Sequence, residues 1–133
     1  RDQQKAFSSQ VKEAGGGGVD IVYDAVGGDY SEPAVRAMNW DGRFLVVGFP
    51  AGIAELPLNL TLLKSCQIVG VFWGAFTMAN PEAHADNVAD LFRLYEEGSI
   101  KPFVSSTYSL EQAGEAIAEL AERRARGKVV VTV

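Results

Sequence analysis

The sequence predicts an α/β fold: the second half of a doubly wound parallel sheet, followed by a C-terminal β-α-β tail. Three observations carry this. Two runs, Val19-Asp20-Ile21-Val22-Tyr23-Asp24-Ala25-Val26 and Arg43-Phe44-Leu45-Val46-Val47, are rich in β-branched and aromatic residues, and each ends at glycine. A helical stretch with Pro33 near its start lies between them, which makes a strand-helix-strand unit with right-handed parallel pairing. The second run is apolar without alternation, the pattern of a strand covered by helices on both faces.

The chain opens in a helix, with Phe7, Val11 and Ala14 at i, i+4 and i+7 as a narrow apolar stripe. Gly15-Gly16-Gly17-Gly18 ends it, because glycine takes positive φ freely and penalises helix continuation. This run precedes a strand and fits neither G-x-G-x-x-G nor a Walker loop, so it reads as a connector and not a phosphate cradle. After the first strand, residues 30–40 are expected to be helical, with Asp29 or Ser31 as cap and Asp41-Gly42 as the stop. A short helix over residues 59–64 leads into a third strand over residues 66–73. Asn80-Pro81-Glu82 starts a helix that buries Ala85, Val88, Leu91, Phe92 and Tyr95 and stops at Gly98. Residues 101–108 are extended. Ser109-Leu110-Glu111-Gln112 is a capping box for a helix burying Leu110, Ala113, Ile117, Leu120 and Ala121. Arg123, Arg124 and Arg126 suit that helix's C-terminus, and residues 128–133 close the tail as a strand.

Composition bounds the function. With 12 Lys+Arg against 17 Asp+Glu the net charge is −5, which argues against a nucleic-acid or anionic-membrane surface. The longest nearly apolar run, residues 68–79, falls far short of the ~20 residues that span a bilayer, and no secretory signal opens the sequence. The single cysteine, Cys66, excludes an intramolecular disulfide and a cysteine-rich zinc site. These features read as a soluble, cytoplasmic chain without nucleic-acid or membrane partners. A start at Arg1 inside a helix, and a three-stranded sheet with one broad edge unpaired, read as a fragment.

Conventional catalytic groups are scarce. His84, the sole histidine, reads as a solvated helix residue, and Cys66 as a small buried apolar one. Asp24 and Asp29 stand near the end of the first strand, where turn and cap roles outweigh a catalytic one. No residue is assigned to catalysis and no metal site is expected. The unusual feature is glycine-rich backbone at three strand ends: Val26-Gly27-Gly28, Gly48-Phe49-Pro50-Ala51-Gly52 and Phe72-Trp73-Gly74. Ligands of open α/β sheets bind outside those ends. Glycine lets a flat ligand approach the main chain, where carbonyl and N–H groups can hold a carboxamide. Turn chemistry accounts for any one of these sites; three aligned sites point toward a ligand edge.

The segments Asp20-Ile21-Val22-Tyr23-Asp24-Ala25-Val26-Gly27-Gly28 and Gly42-Arg43-Phe44-Leu45-Val46-Val47-Gly48-Phe49 resemble the zinc-free quinone oxidoreductase branch of the medium-chain dehydrogenase/reductases. Leu56-Pro57-Leu58-Asn59 with Leu62-Leu63-Lys64, then Val69-Gly70-Val71-Phe72-Trp73-Gly74, continue the match in order. So does the ending Arg126-Gly127-Lys128-Val129-Val130-Val131, and the resemblance covers residues 18–133. It implies that residues 1–98 are the second half of a Rossmann cofactor domain and residues 99–133 a tail returning to a catalytic domain. The pyrophosphate loop and the residue separating NADH from NADPH belong upstream, so the 133 residues alone are expected to bind NADPH feebly and to be inactive.

The cofactor implied is NADPH, with NADH left open. By resemblance, Ala25, Val26 and Gly28 flank its adenosine side, and Val47, Gly48 and Phe49 line the nicotinamide ribose and ring. Val71, Phe72 and Trp73 present main chain to the carboxamide and wall the substrate pocket. Lys128 matches a basic position that approaches the pyrophosphate, and has a second reading as a helix-end cation. The activity implied is hydride delivery to a quinone or activated enone, which needs proximity and orientation more than acid or base on this half. An enoyl thioester is the close alternative substrate; a non-catalytic binding or dimerisation module is the alternative from another class. In the resembled family the third strand pairs with its counterpart in a second subunit. A homodimer through Gln67 to Trp73 is therefore expected, weakened by a proline at Val69.

Overall fold

The computed structural model describes residues 2–133; Arg1, where the sequence reading begins its helix, lies outside the described residues. Two compact units divide the chain, one running to Met78 and one from Ala79 to Val133. The first holds α1 (Asp2–Ala14), β1 (Val19–Asp24), α2 (Ser31–Ala37), β2 (Met38–Val46), α3 (Asn59–Lys64), β3 (Gln67–Gly70) and most of α4 (Trp73–Ala79). The strands are parallel in the order β1-β2-β3, so β1 and β3 are the edges of the sheet.

Side chains alternate between the faces of a strand, and Val22, Phe44 and Ile68 share one register row. The core lies on their side: Phe44 is 1% exposed and clusters with Ala34, Val35, Met38 and Leu60, while Phe7, Val46 and Cys66 pack against the cluster. The other face is not covered within this unit, contrary to the expectation for β2's apolar run; Ile21 and Tyr23 are exposed there. The glycine run acts as the expected connector, with Gly16 at φ 67° and the Gly17 amide bonded to the Lys12 carbonyl at 2.7 Å.

The helix expected over residues 30–40 is shorter. Met38 turns to φ −67°, ψ 150°, and residues 38–40 open β2. Val19 pairs with Met38 but Ile21 pairs with Arg43, so residues 39–42 bulge opposite Asp20. The Asn39 amide donates to Asp20 Oδ1 at 2.8 Å, and Asp41 takes φ 61°. Asp41-Gly42 therefore marks a bulge inside a strand and not a helix stop. Neither Asp29 nor Ser31 caps α2: Tyr30 stands at the cap position without a side-chain bond. β1 ends at Asp24, short of the expected Val26, and β3 ends at Gly70. Trp73 opens a helix the sequence reading did not anticipate, in which its ring stacks on Phe76 at 5.3 Å.

One register detail redirects the dimer expectation. The Val71 amide donates to the Val46 carbonyl at 2.9 Å. Alternate residues of a strand turn their N–H groups to the same side, so Val69 also faces β2, and Ile68 and Gly70 face outward. A proline at Val69 would cut the ladder within the unit and leave the free edge intact.

In the second unit, α5 (Pro81–Glu96) precedes β4 (Val104–Ser109), α6 (Ala113–Ala121) and β5 (Lys128–Thr132), with β4 and β5 parallel. The capping box at Ser109 and Gln112 is present and opens a 3-10 turn ahead of α6. The faces expected to be buried are not. Leu91, Phe92 and Tyr95 of α5 are exposed, as are Ile117 and Leu120 of α6, whose buried residues are Ala116 and Glu119. The Glu119 carboxylate is tolerated there because it accepts the Ser106 hydroxyl at 2.9 Å and the Tyr108 hydroxyl at 2.8 Å.

Candidate functional site

Parallel pairing brings three strand ends together. Asp24, Val46 and Gly70 stand in one register row, so residues 25–28, 47–52 and 71–73 leave the sheet side by side. Asp24, 9% exposed, closes β1 and organises the turn beyond it. Its Oδ1 accepts the amides of Val26 at 2.9 Å and Gly27 at 2.8 Å, and its Oδ2 accepts the Ser31 hydroxyl at 2.6 Å. Burial pushes the carboxyl pKa up, but the Gly27 amide, the Ser31 hydroxyl and the Val26 amide together outweigh it and hold the group below 3.8. This is the turn role the sequence favoured for Asp24. The Asp24 carbonyl also accepts the amides of Val47 at 2.9 Å and Gly48 at 3.2 Å.

The first two loops bond to one another. The Ala51 amide donates to the Val26 carbonyl at 2.9 Å and the Gly28 amide to the Gly52 carbonyl at 2.8 Å. Gly27 and Gly28 sit at φ 73° and 60°, and a Cβ on Gly27 would lie 2.6 Å from the Gly52 oxygen. Only glycine fits that conformation and that approach.

The amides expected to meet a ligand are therefore largely occupied. Those of Val26, Gly27, Gly28, Val47, Gly48, Ala51, Gly52 and Val71 all bond to other groups of the edge. What the edge presents outward is apolar surface: Val26, Phe49, Phe72 and Trp73 are 46%, 60%, 78% and 49% exposed. Such a surface can meet a flat apolar group by contact more than through main-chain donors. Ala25 is exposed beside them and Val47 and Gly48 are half-buried. Lys128 is exposed at the first position of β5, in the second unit, so it opens a strand instead of ending a helix.

His84 is half-buried on α5, and Cys66 is half-buried against the core. Among the described residues no three His, Cys, Asp or Glu side chains come together to hold a metal ion. Among them, too, no helix is long and apolar enough to cross a membrane. Sequence reasoning passed over Ser31 as a partner of Asp24. The available signal was the aspartate two residues before Val26-Gly27, the spacing of a side-chain turn.

A parallel sheet with glycine turns beyond the carboxyl ends of its strands is the arrangement at which open α/β sheets bind their ligands. Residues 1–131 match the zinc-binding dehydrogenase model, and the chain belongs to that family, among the medium-chain dehydrogenase/reductases. It is 35% identical over 123 residues to quinone oxidoreductase-like protein 2 of Bos taurus, covering 92% of this chain and 35% of that protein. Acryloyl-coenzyme A reductase of Sulfurisphaera tokodaii is 30% identical over 127 residues, covering 94% of this chain and 35% of the reductase. A mycobacterial protein solved in complex with NADPH superposes with a TM-score of 0.79 at 25% identity, over 98% of this chain and 40% of that one. The chain thus spans 35% of the bovine protein's length and 35% of the reductase's. Among the described residues no side-chain cluster fits the zinc after which the family is named.

Proposed function

We propose that the chain is the second half of the cofactor domain, residues 1–98, with a returning tail, residues 99–133, of a cytoplasmic, zinc-free NADPH-dependent oxidoreductase. Its substrate is a quinone or an activated enone. The observation that carries this reading is the strand-end edge, with Val26, Phe49 and Phe72 exposed beside one another's loops, in a fold shared with a protein solved with NADPH. In this reading Ala25, Val26 and Gly28 meet the adenosine side, Val47, Gly48 and Phe49 the nicotinamide ribose and ring, and Val71, Phe72 and Trp73 the carboxamide. Lys128 supplies charge to the pyrophosphate.

NADPH would supply the hydride and leave as NADP⁺; a quinone substrate takes the hydride and a proton from solvent to become the hydroquinone. The residues of this half bind and orient, and none is assigned to proton transfer. NADH would meet the same surfaces. The similarity to acryloyl-coenzyme A reductase favours a second reading, reduction of an enoyl thioester.

The test is oxidation of NADPH and of NADH by the complete, chelator-dialysed protein, followed by absorbance with a quinone, a simple enone and an enoyl thioester. Fastest turnover of quinone or enone with NADPH is expected. Fastest turnover of the thioester establishes the second reading. Cofactor binding without turnover of any acceptor would make the domain a non-catalytic module, and activity lost with zinc would overturn the metal-free reading.

A further inference from the structure

We infer that Asp24 is the positioning residue of the cofactor edge: its carboxylate shapes the turn at residues 26–28, onto which the second glycine-rich loop is hydrogen-bonded, in the geometry a dinucleotide meets. The inference rests on the proposed NADPH function and goes beyond it by assigning the shape of the first loop to one side chain. Five hydrogen bonds converge on this one residue. Three reach its carboxylate, from Val26, Gly27 and Ser31, and two reach its carbonyl, from Val47 and Gly48. The carboxylate thereby shapes residues 26–28, which the proposed function places against the adenosine. The carbonyl holds residues 47 and 48, placed against the nicotinamide ribose. The loops are then cross-bonded through Ala51 to Val26 and Gly28 to Gly52.

Two physical points favour a carboxylate at this position. Its two oxygens can serve three donors at once, whereas an amide oxygen can serve the two main-chain N–H groups but its nitrogen can only donate toward Ser31. Its negative charge would ordinarily repel a phosphorylated cofactor, yet here it is 9% exposed and answered by three hydrogen-bond donors. With these amides turned inward, Val26 and Phe49 are the groups left facing out. Asp24 itself touches no ligand; it acts through the loops.

A purely structural strand-end cap would lower stability and leave cofactor affinity unchanged, so the test separates the two. In the complete protein, NADPH dissociation constants and steady-state KM and kcat are measured for wild type, Asp24→Ala, Asp24→Asn and Ser31→Ala. Asn39→Ala serves as control, because its bond to Asp20 lies toward the opposite end of β1. Asp24→Ala is expected to weaken NADPH binding and raise its KM about tenfold, and Ser31→Ala about threefold, the size of one lost hydrogen bond. The turnover number at saturating NADPH stays within about twofold of wild type, the pattern of lost uniform binding. Asp24→Asn falls between wild type and Asp24→Ala, and Asn39→Ala binds NADPH as wild type does.

Wild-type affinity in both Asp24→Ala and Ser31→Ala, or a fall in kcat at unchanged KM, overturns the assignment while leaving the NADPH reading standing. If wild type itself binds no NADPH, the functional reading fails and the positioning role fails with it. Should Asp24→Ala not fold, Asp24→Asn and Ser31→Ala decide: affinity equal to wild type in both overturns the assignment.

Discussion

The ammonium of Lys64 donates to the main-chain carbonyl of Met38 at 2.6 Å, fastening the last turn of α3 to the point where α2 gives way to β2. Met38 is the C-cap of α2, a position whose carbonyl has no partner within the helix, and its side chain is 2% exposed. A charge-assisted bond in so enclosed a place is not readily replaced by water. Lys64→Met, which keeps the apolar stem, is expected to destabilise this unit by about 1–2 kcal/mol, read as a lower denaturant midpoint. An unchanged midpoint would show that solvent serves Met38 equally well.

Glu119 makes the corresponding link in the second unit, between α6 and β4. Replacing it with alanine removes the acceptor of both Ser106 and Tyr108 and is expected to cost about 1–3 kcal/mol. The same contact has a signature at alkaline pH. The hydrogen bond to Glu119, then burial, hold the Tyr108 phenol above its ordinary value of 10.0. The folded state therefore keeps this proton more tightly than the unfolded chain. The stability so gained is complete below 10.0 and is lost as pH rises through the folded value. Phenolate absorbance, taken as the difference between wild type and Tyr108→Phe, should show a late-titrating tyrosine that Glu119→Gln returns toward 10.0. A Tyr108 that titrates at 10.0 in wild type would mean that the contact does not form.

How much of this was legible depends on whether a feature is local. The strands and their parallel sense follow from β-branched runs separated by a helical crossover, and both are present. Asp41-Gly42 is a turn pair by composition, and only its pairing opposite Asp20 distinguishes a bulge from a helix stop. Trp73 and Phe76 are as much at home in a strand as in a helix, so the helix they stack within was hidden in an apolar run. A glutamate on the apolar side of α6 looks misplaced until Ser106 and Tyr108, on alternate positions of β4, are brought beneath it. At the candidate edge the glycine turns were readable from sequence. The direction of their N–H groups was not, because the loops satisfy one another across the sheet.

Acid should expose the Asp24 network. Its folded pKa is depressed, so the carboxylate contributes stability above 3.8 that is lost as pH falls below that value and through the folded one. Wild type is expected to lose stability on the acid side more steeply than Asp24→Asn, which has no proton to take up there. Denaturant midpoints measured from neutral pH downward give the comparison, and parallel curves for the two proteins would remove Asp24 from the acid transition.

The free edge of β3 yields the last prediction. Residues 67–70 are all exposed, Ile68 and Val69 among them at 38% and 37%, and they carry neither proline nor charge. Proteins normally suppress such an edge. We propose that it pairs with its own copy about a two-fold axis, which would satisfy both edges at once and make the protein a homodimer through Gln67 to Trp73. The N–H groups available to a second copy are those of Ile68 and Gly70, since Val69 and Val71 face β2. Ile68→Pro therefore removes an outward donor and spares the internal ladder, whereas Val69→Pro removes an inward one. By sedimentation, wild type should run as a dimer and Ile68→Pro should shift to monomer with its fold retained. Val69→Pro should lower stability by about 1–3 kcal/mol, the cost of leaving a ladder acceptor unpaired. A wild type that stays monomeric at high concentration, or an Ile68→Pro that dimerises as wild type does, would place the interface elsewhere.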